Sequence, residues 1–182
     1  MRRKPHASIL AVILALLIGT VFLTSCPKDN SGRTRAWTDP DTGLMWQNGS
    51  QVGGTDYTWQ GAKDYCASLS WAGYHDWRLP DIDELRSLIR GCGPTETGGA
   101  CGVTDGCLNL SCLNYSCEEC DYMGGPGFRG IYWPPDVSGV DNGYWSSSPV
   151  ADSDPGAWWF VAFDSAYIYD DHIYGKGARC VR

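Results

Sequence analysis

Apolar residues run almost unbroken from Ile9 to Leu23, and no later block is as long. The run is shorter than the roughly 20 residues a membrane-spanning helix needs, and it follows the basic Arg2, Arg3 and Lys4, which is the layout of an export signal. Beyond it the pattern becomes that of a folded domain. Ala36-Trp37-Thr38 and Leu44-Met45-Trp46-Gln47 read as two short strands, joined by Asp39-Pro40-Asp41-Thr42-Gly43, whose Pro and Gly supply turn chemistry. Trp59, Ala62, Cys66 and Leu69 recur at helical spacing after a Thr58 N-cap, and Gly73 stops that helix. Asp81 with Glu84 three residues on is a capping-box pattern. It opens a second helix whose apolar face is Ile82, Leu85, Leu88 and Ile89, ending at Gly91.

From Gly91 to Asn142 periodicity fades into a Gly-, Cys- and Pro-rich stretch, the signature of a long loop region or insertion. Strand patterning returns in Tyr144-Trp145-Ser146-Ser147-Ser148, in Trp158 to Phe163, in Tyr167-Ile168-Tyr169 and in Ala178 to Arg182. Strands, two helices, a long loop and further strands predict one α+β domain over 36–182. The export signal ends in Leu23-Thr24-Ser25-Cys26, which resembles the lipobox of bacterial lipoproteins. That resemblance implies a signal peptide over 1–25, cleavage before Cys26, and lipidation of Cys26 with acyl chains such as palmitate. Residues 26–35 would then be a tether. Pro27 rather than Asp follows the anchor, which directs the expectation to the outer membrane of the cell envelope.

Cysteine usage sharpens the compartment. Without Cys26 the chain has eight: Cys66, Cys92, Cys101, Cys107, Cys112, Cys117, Cys120 and Cys180. An even number in an exported chain predicts disulfides. Cys66 and Cys180 stand apart from the six clustered between 92 and 120, so they are expected to pair, leaving three local bridges of undetermined connectivity. The competing reading is a zinc site built on Cys117-x-x-Cys120. The cluster holds no histidine and fits no two-knuckle spacing, which favours disulfides. Charge narrows the partners. Loss of Arg2, Arg3 and Lys4 with the signal leaves 11 basic against 21 acidic residues, a net charge of −10. Such a chain repels nucleic acid, so contact with the membrane rests on the lipid anchor.

Four motifs then fall in order: Asp41-Thr42-Gly43-Leu44-Met45-Trp46; Trp77-Arg78-Leu79-Pro80 leading into Glu84-Leu85; Tyr144-Trp145-Ser146-Ser147-Ser148; and Arg179-Cys180-Val181-Arg182. Together they resemble the Lcl C-terminal domain family, named for the C-terminal domain of a collagen-like bacterial adhesin. The resemblance implies a C-type-lectin-like fold related to that of formylglycine-generating enzymes, with two helices, a small mostly antiparallel sheet and paired terminal strands. In such folds a cysteine on the first helix bridges to the final strand, which agrees with a Cys66–Cys180 pair. The six-cysteine segment exceeds the family's common core.

No catalytic constellation is legible. His75 and His172 are the histidines left after maturation, and His75 reads as a turn residue. Ser146, Ser147 and Ser148 lack the context of a nucleophile elbow. Formylglycine-type oxidation needs a thiol pair near the end of the chain, where Cys180 stands alone. Asp39 to Gly43, Asp152-Ser153-Asp154-Pro155-Gly156 and Asp170-Asp171 could offer calcium a few oxygens, but none reaches the bidentate Glu of an EF-hand, so turn chemistry is the first reading. Nine Trp all lie in the mature chain, with Trp46, Trp59 and Trp159 expected to point inward. Aromatics on the irregular segment, Tyr115, Tyr122, Phe128, Tyr132 and Trp133, are the candidate ligand contacts. The expectation is a non-catalytic, cofactor-free binding or adhesion domain for a glycan, a matrix polymer or an envelope protein. A formylglycine-type enzyme and a structural envelope domain without ligand are the alternatives. The 92–135 segment is expected to be separable, so that a short linker in its place leaves a folded domain without its ligand.

Overall fold

Two short strands open the domain in the computed structural model, which describes residue 28, residues 34–153 and residues 156–182. The export signal, Cys26 and most of the tether lie outside the described residues. Strands β1 (Ala36–Thr38) and β2 (Met45–Gln47) pair antiparallel with Trp37 opposite Trp46. Their turn closes because Asp39 Oδ1 accepts the Asp41 N–H and Gly43 reaches the Asp39 carbonyl at φ 74°. Helix α1 (Trp59–Ser68) starts where Thr58 Oγ1 accepts the Gly61 N–H, and it buries Ala62 and Cys66. Helix α2 (Ile82–Arg86) carries the full capping box between Asp81 and Glu84.

Helix α2 stops earlier than its apolar spacing suggests. Ser87 Oγ donates to the Glu84 carbonyl, and Leu88 and Ile89 continue as tighter turns onto the Leu85 and Arg86 carbonyls. Arg78 makes a bidentate pair with Glu84 at 2.6 and 2.5 Å, and its backbone N–H and C=O both bond Val181. The Trp-Arg-Leu-Pro motif is therefore scaffold that ties the entry of α2 to the last residues of the chain.

Strands β3 (Gly143–Pro149), β4 (Trp158–Ala162) and β5 (Tyr167–Asp171) form a second antiparallel sheet in the order β3-β4-β5. The architecture is thus α+β, with two helices and two small antiparallel sheets. Residues 178–182, expected as a strand, form isolated bridges instead. Val181 is flanked by Trp46 on one side and Arg78 on the other, each over too few residues to make a ladder. Successive β3 side chains face opposite ways. Tyr144 enters a large core with Leu85, Trp133 and Phe163, and Trp145 enters a smaller one with Ala62, Cys66 and Trp77.

All eight cysteines among the described residues are bridged: Cys66–Cys180, Cys92–Cys120, Cys101–Cys117 and Cys107–Cys112. Among the described residues no free thiolate remains for the zinc alternative. The three clustered bridges are nested one inside the next, and three short 3-10 turns, Leu110–Cys112, Tyr115–Glu118 and Phe128–Gly130, are the only helical pieces described there. The segment is not a detachable ornament. Cys92, Cys101, Val103, Cys117, Ile131 and Trp133 belong to the main core, so a linker in place of 92–135 would open that core to water. Buried Arg86 reinforces the attachment by donating to the carbonyls of Thr95, Glu96 and Val103.

The insertion also touches the α2 cap. Asp105 accepts the Ser148 hydroxyl and donates its N–H to Asp83, and its carboxyl lies close enough to that of Asp81 to influence it. Burial pushes Asp81 up to about 6, and the charges of Glu84 and Asp105 add to this against the Glu84 N–H. Because the folded value lies above the usual carboxylate value, the folded state binds more protons between about pH 4 and 6, and stability falls as pH rises through that window. Thermal melts should show a melting temperature that declines across this range, with a shallower slope in Asp105→Asn. An unchanged slope in that variant would mean that Asp105 does not contribute to raising Asp81.

Candidate functional site

The end of the insertion folds back on itself before rejoining the sheet. Gly125 donates to the Gly130 carbonyl, Gly127 to Ile131, and Gly130 to Gly127, with Arg129 held at φ 62°. Its Tyr132 N–H then bonds the Phe163 carbonyl, and the Arg90 N–H bonds Tyr132, which fixes Ile131–Trp133 against the end of β4. A second segment, 136–140, lies beside it. Buried Asn48 holds this segment by donating to the Asp136 carbonyl and accepting both the N–H and the hydroxyl of Ser138. Tyr144 Oη lies against the Val52 and Val140 carbonyls, and Val140 donates its N–H to Val52.

Between these two segments runs a groove of about 500 Å³, within the size range of small-molecule sites. Phe128, Ile131, Trp133, Val137 and Val140 give it apolar walls, and Ser50, Arg129, Ser138 and Asp141 give it a polar rim. Burial raises the Asp141 carboxyl above its usual value, helped by the nearby Asp164 charge and opposed by Arg129. Beneath the groove Arg179 is fully buried, and among the described residues no carboxylate pairs with it. Its guanidinium donates to the Gln47 and Ser138 carbonyls and lies over the rings of Trp133 (4.8 Å) and Tyr144 (5.1 Å). Gly139 is required here, since a Cβ would sit 2.2 Å from Arg179 Nη2. Trp133 Nε1 and Arg179 Nε are buried without an acceptor among the described residues.

Of the five aromatics expected to contact ligand, Phe128 and Trp133 meet in this groove. Phe128 is 70% exposed at its lip, while Trp133, 2% exposed, is core that also forms wall. Tyr132 is likewise buried, its hydroxyl donating to the Asp121 carbonyl. Tyr115 and Tyr122 are exposed but lie outside the groove. The expectation of five open contact aromatics therefore fails at Tyr132 and Trp133, which pack inward because their backbone is pinned to β4. Trp46 and Trp159 are fully buried, whereas Trp59 is half-buried at the surface. The residues that hold the groove, Asn48, Tyr144 and Arg179, are not among the sequence candidates. A polar side chain inside an apolar terminal segment is the one signal that marks Arg179.

The remaining candidates are structural. His75 Nδ1 meets the Ser70 hydroxyl, Ser146 Oγ donates to the Trp159 carbonyl, and Ser148 Oγ serves Asp105. Four of the calcium candidates are engaged as well. Asp39 and Asp41 pair with Arg90, Asp152 accepts the Leu110 N–H, and Asp171 accepts Lys176. Asp154 and Pro155 lie outside the described residues. Among the described residues no group of three or more His, Cys, Asp or Glu could hold a metal ion, and no helix is long and apolar enough to cross a membrane.

No curated protein and no solved structure matches the chain. The family model of the Lcl C-terminal domain matches residues 35–182, which takes in β1, the nested bridges and the buried Arg179 motif alike. The chain belongs to the Lcl C-terminal domain family.

Proposed function

We propose that this is a lipid-anchored protein of the bacterial envelope whose domain, with a C-type-lectin-like arrangement, binds a surface ligand and catalyses nothing. Family membership indicates a bacterial extracellular domain. The tie between β2 and residues 180–182, with Cys66 of α1 bridged to Cys180, supports the lectin-like arrangement. Anchoring rests on the Leu23–Cys26 lipobox. Binding rests on one observation above the others: the apolar groove with a polar rim at the end of the insertion. Its walls are fixed by Asn48, by Tyr144 and by the backbone bonds of Tyr132 to Phe163 and Arg90, so little entropy is lost when a ligand enters. The bridging of all eight described cysteines favours a binder over an oxidase of the formylglycine type, which would use a reduced thiol pair.

The test uses bacteria expressing the full chain, scored for retention on surfaces coated with glycans or matrix polymer. Phe128→Ala with Asp141→Ala, both at exposed positions, should abolish retention at unchanged protein level. Cys26→Ser should abolish it by losing the acyl label and leaving the membrane fraction. Retention that survives the groove variants would place recognition elsewhere, and a labelled, membrane-bound Cys26→Ser protein would refute the anchor.

A further inference from the structure

A second concavity lies where the start of α1 meets the three-stranded sheet, and no residue lines both it and the groove of the insertion. Its volume is about 320 Å³. Three indoles, Trp59, Trp145 and Trp158, come together there from α1, β3 and β4, and the loop after β5 closes the side with Ile173 and Tyr174. Trp59 stacks on Trp158 with ring centres 4.4 Å apart and planes at 15°. Both remain half-buried, while Ile173 and Tyr174 are 67% and 70% exposed. Large aromatic and aliphatic side chains left open together mark a contact surface more than a packing surplus.

The cleft is built rather than loose. Trp59 Nε1 donates to the Ser146 carbonyl at 2.9 Å and Trp145 Nε1 to the Tyr57 carbonyl at 2.8 Å, which locks the ring planes. Asp171 holds the facing wall. Its carboxylate accepts the N–H of Ile173 (2.8 Å), the N–H of Tyr174 (3.2 Å) and Lys176 Nζ (2.6 Å). Burial alone would raise Asp171, but these donors outweigh it and hold the carboxyl at about 2, so the wall keeps its charge-assisted bonds at any ordinary pH.

We infer that this cleft is a second binding site, for a pyranose ring of an uncharged glycan. The face of an indole is the negative side of its quadrupole, and the C–H hydrogens on one face of a pyranose are the weakly positive, apolar surface that fits it. The hydroxyls around the ring need neutral donors and acceptors at the edge of the platform. The Thr58 hydroxyl and the Gln60 side-chain carbonyl supply them, and no carboxylate is among the residues that line the cleft. A polyanionic chain is disfavoured by the domain's excess of acidic residues. Trp145 is buried beneath the stacked pair, so the open platform is Trp59 and Trp158 beside Ile173 and Tyr174, too short a floor for an extended apolar peptide.

The experiment uses the full chain in lauryldimethylamine oxide micelles, which carry no sugar, titrated with chitotetraose and separately with maltohexaose. Indole N–H resonances report the binding. One of the two sugars should shift the Trp59 and Trp158 indole signals at low-millimolar concentration. Tyr174→Ala, at an exposed position, should weaken that affinity about tenfold or more, and Trp158→Ala should abolish it. Phe128→Ala should leave it unchanged, which separates this site from the groove. No shift with either sugar, a shift indifferent to Tyr174→Ala, or binding of a heparin fragment in place of both would overturn the inference.

Discussion

The Cys66→Ala/Cys180→Ala double variant should lose about 4–5 kcal/mol of stability, the chain-entropy value for a loop of this order. The bridge spans 114 residues, and both sulfurs are fully buried between α1 and the segment that locks β2. That segment depends on the bridge for position. Cys180 donates its N–H to the Gln47 side chain, and the Gln47 N–H returns to the Cys180 carbonyl. Without the bridge Arg179 and Val181 lose the constraint that holds them in the core. For a domain of this size the loss corresponds to a melting temperature lower by roughly 10–20 °C. Calorimetry under oxidising conditions measures it, and a fall of only a few degrees would show that the bridge adds little to what packing already fixes.

The second large effect is expected at Arg86→Met. The buried guanidinium serves three carbonyls of the insertion, those of Thr95, Glu96 and Val103. A methionine fills much of the same space but donates to none of them. Stranding buried acceptors costs about 1–3 kcal/mol each, so a loss of about 3 kcal/mol or more is expected. Amide exchange should rise selectively over residues 92–107, since those are the backbone groups released. Arg86→Lys separates charge from geometry. A lysine keeps the cation but lacks the planar fork, so it should restore little. Full recovery with lysine would mean that the charge alone holds the insertion in place.

Where local chemistry decides the outcome, the chain could be read directly. Asp81 and Glu84 announce the capping box, Thr58 caps α1, and Trp158 to Phe163 read as a strand, observed as β4 over Trp158–Ala162. The isolation of Cys66 and Cys180 in sequence pointed to the one long-range bridge. What could not be read is set by contacts without a period. In an irregular segment nothing alternates, so Tyr132 and Trp133 look as open as Tyr115, although backbone bonds to Phe163 and Arg90 turn them inward. The floor of the groove depends on Asn48, Tyr144 and Arg179, which lie more than 30 residues apart and meet only once both sheets are packed. Six clustered cysteines allow fifteen pairings, and spacing alone cannot choose among them.

The choice made, bridges closed one inside another like parentheses, changes what each bond is worth. Cys107–Cys112 spans 5 residues, and Cys101–Cys117 and Cys92–Cys120 span 16 and 28. Once the 16-residue loop is shut, the outermost bond closes only about 12 residues of free chain, because loop-closure entropy counts the shortest covalent path. The three therefore do not contribute independently. Opening an inner bridge lengthens the path spanned by the bridge outside it and raises that bridge's stabilising effect, so the set loses stability by less than the sum when one member is reduced. No bridge crosses another, so none has to thread through a closed ring, and oxidation can proceed outward from the tightest pair without passing through a knotted intermediate.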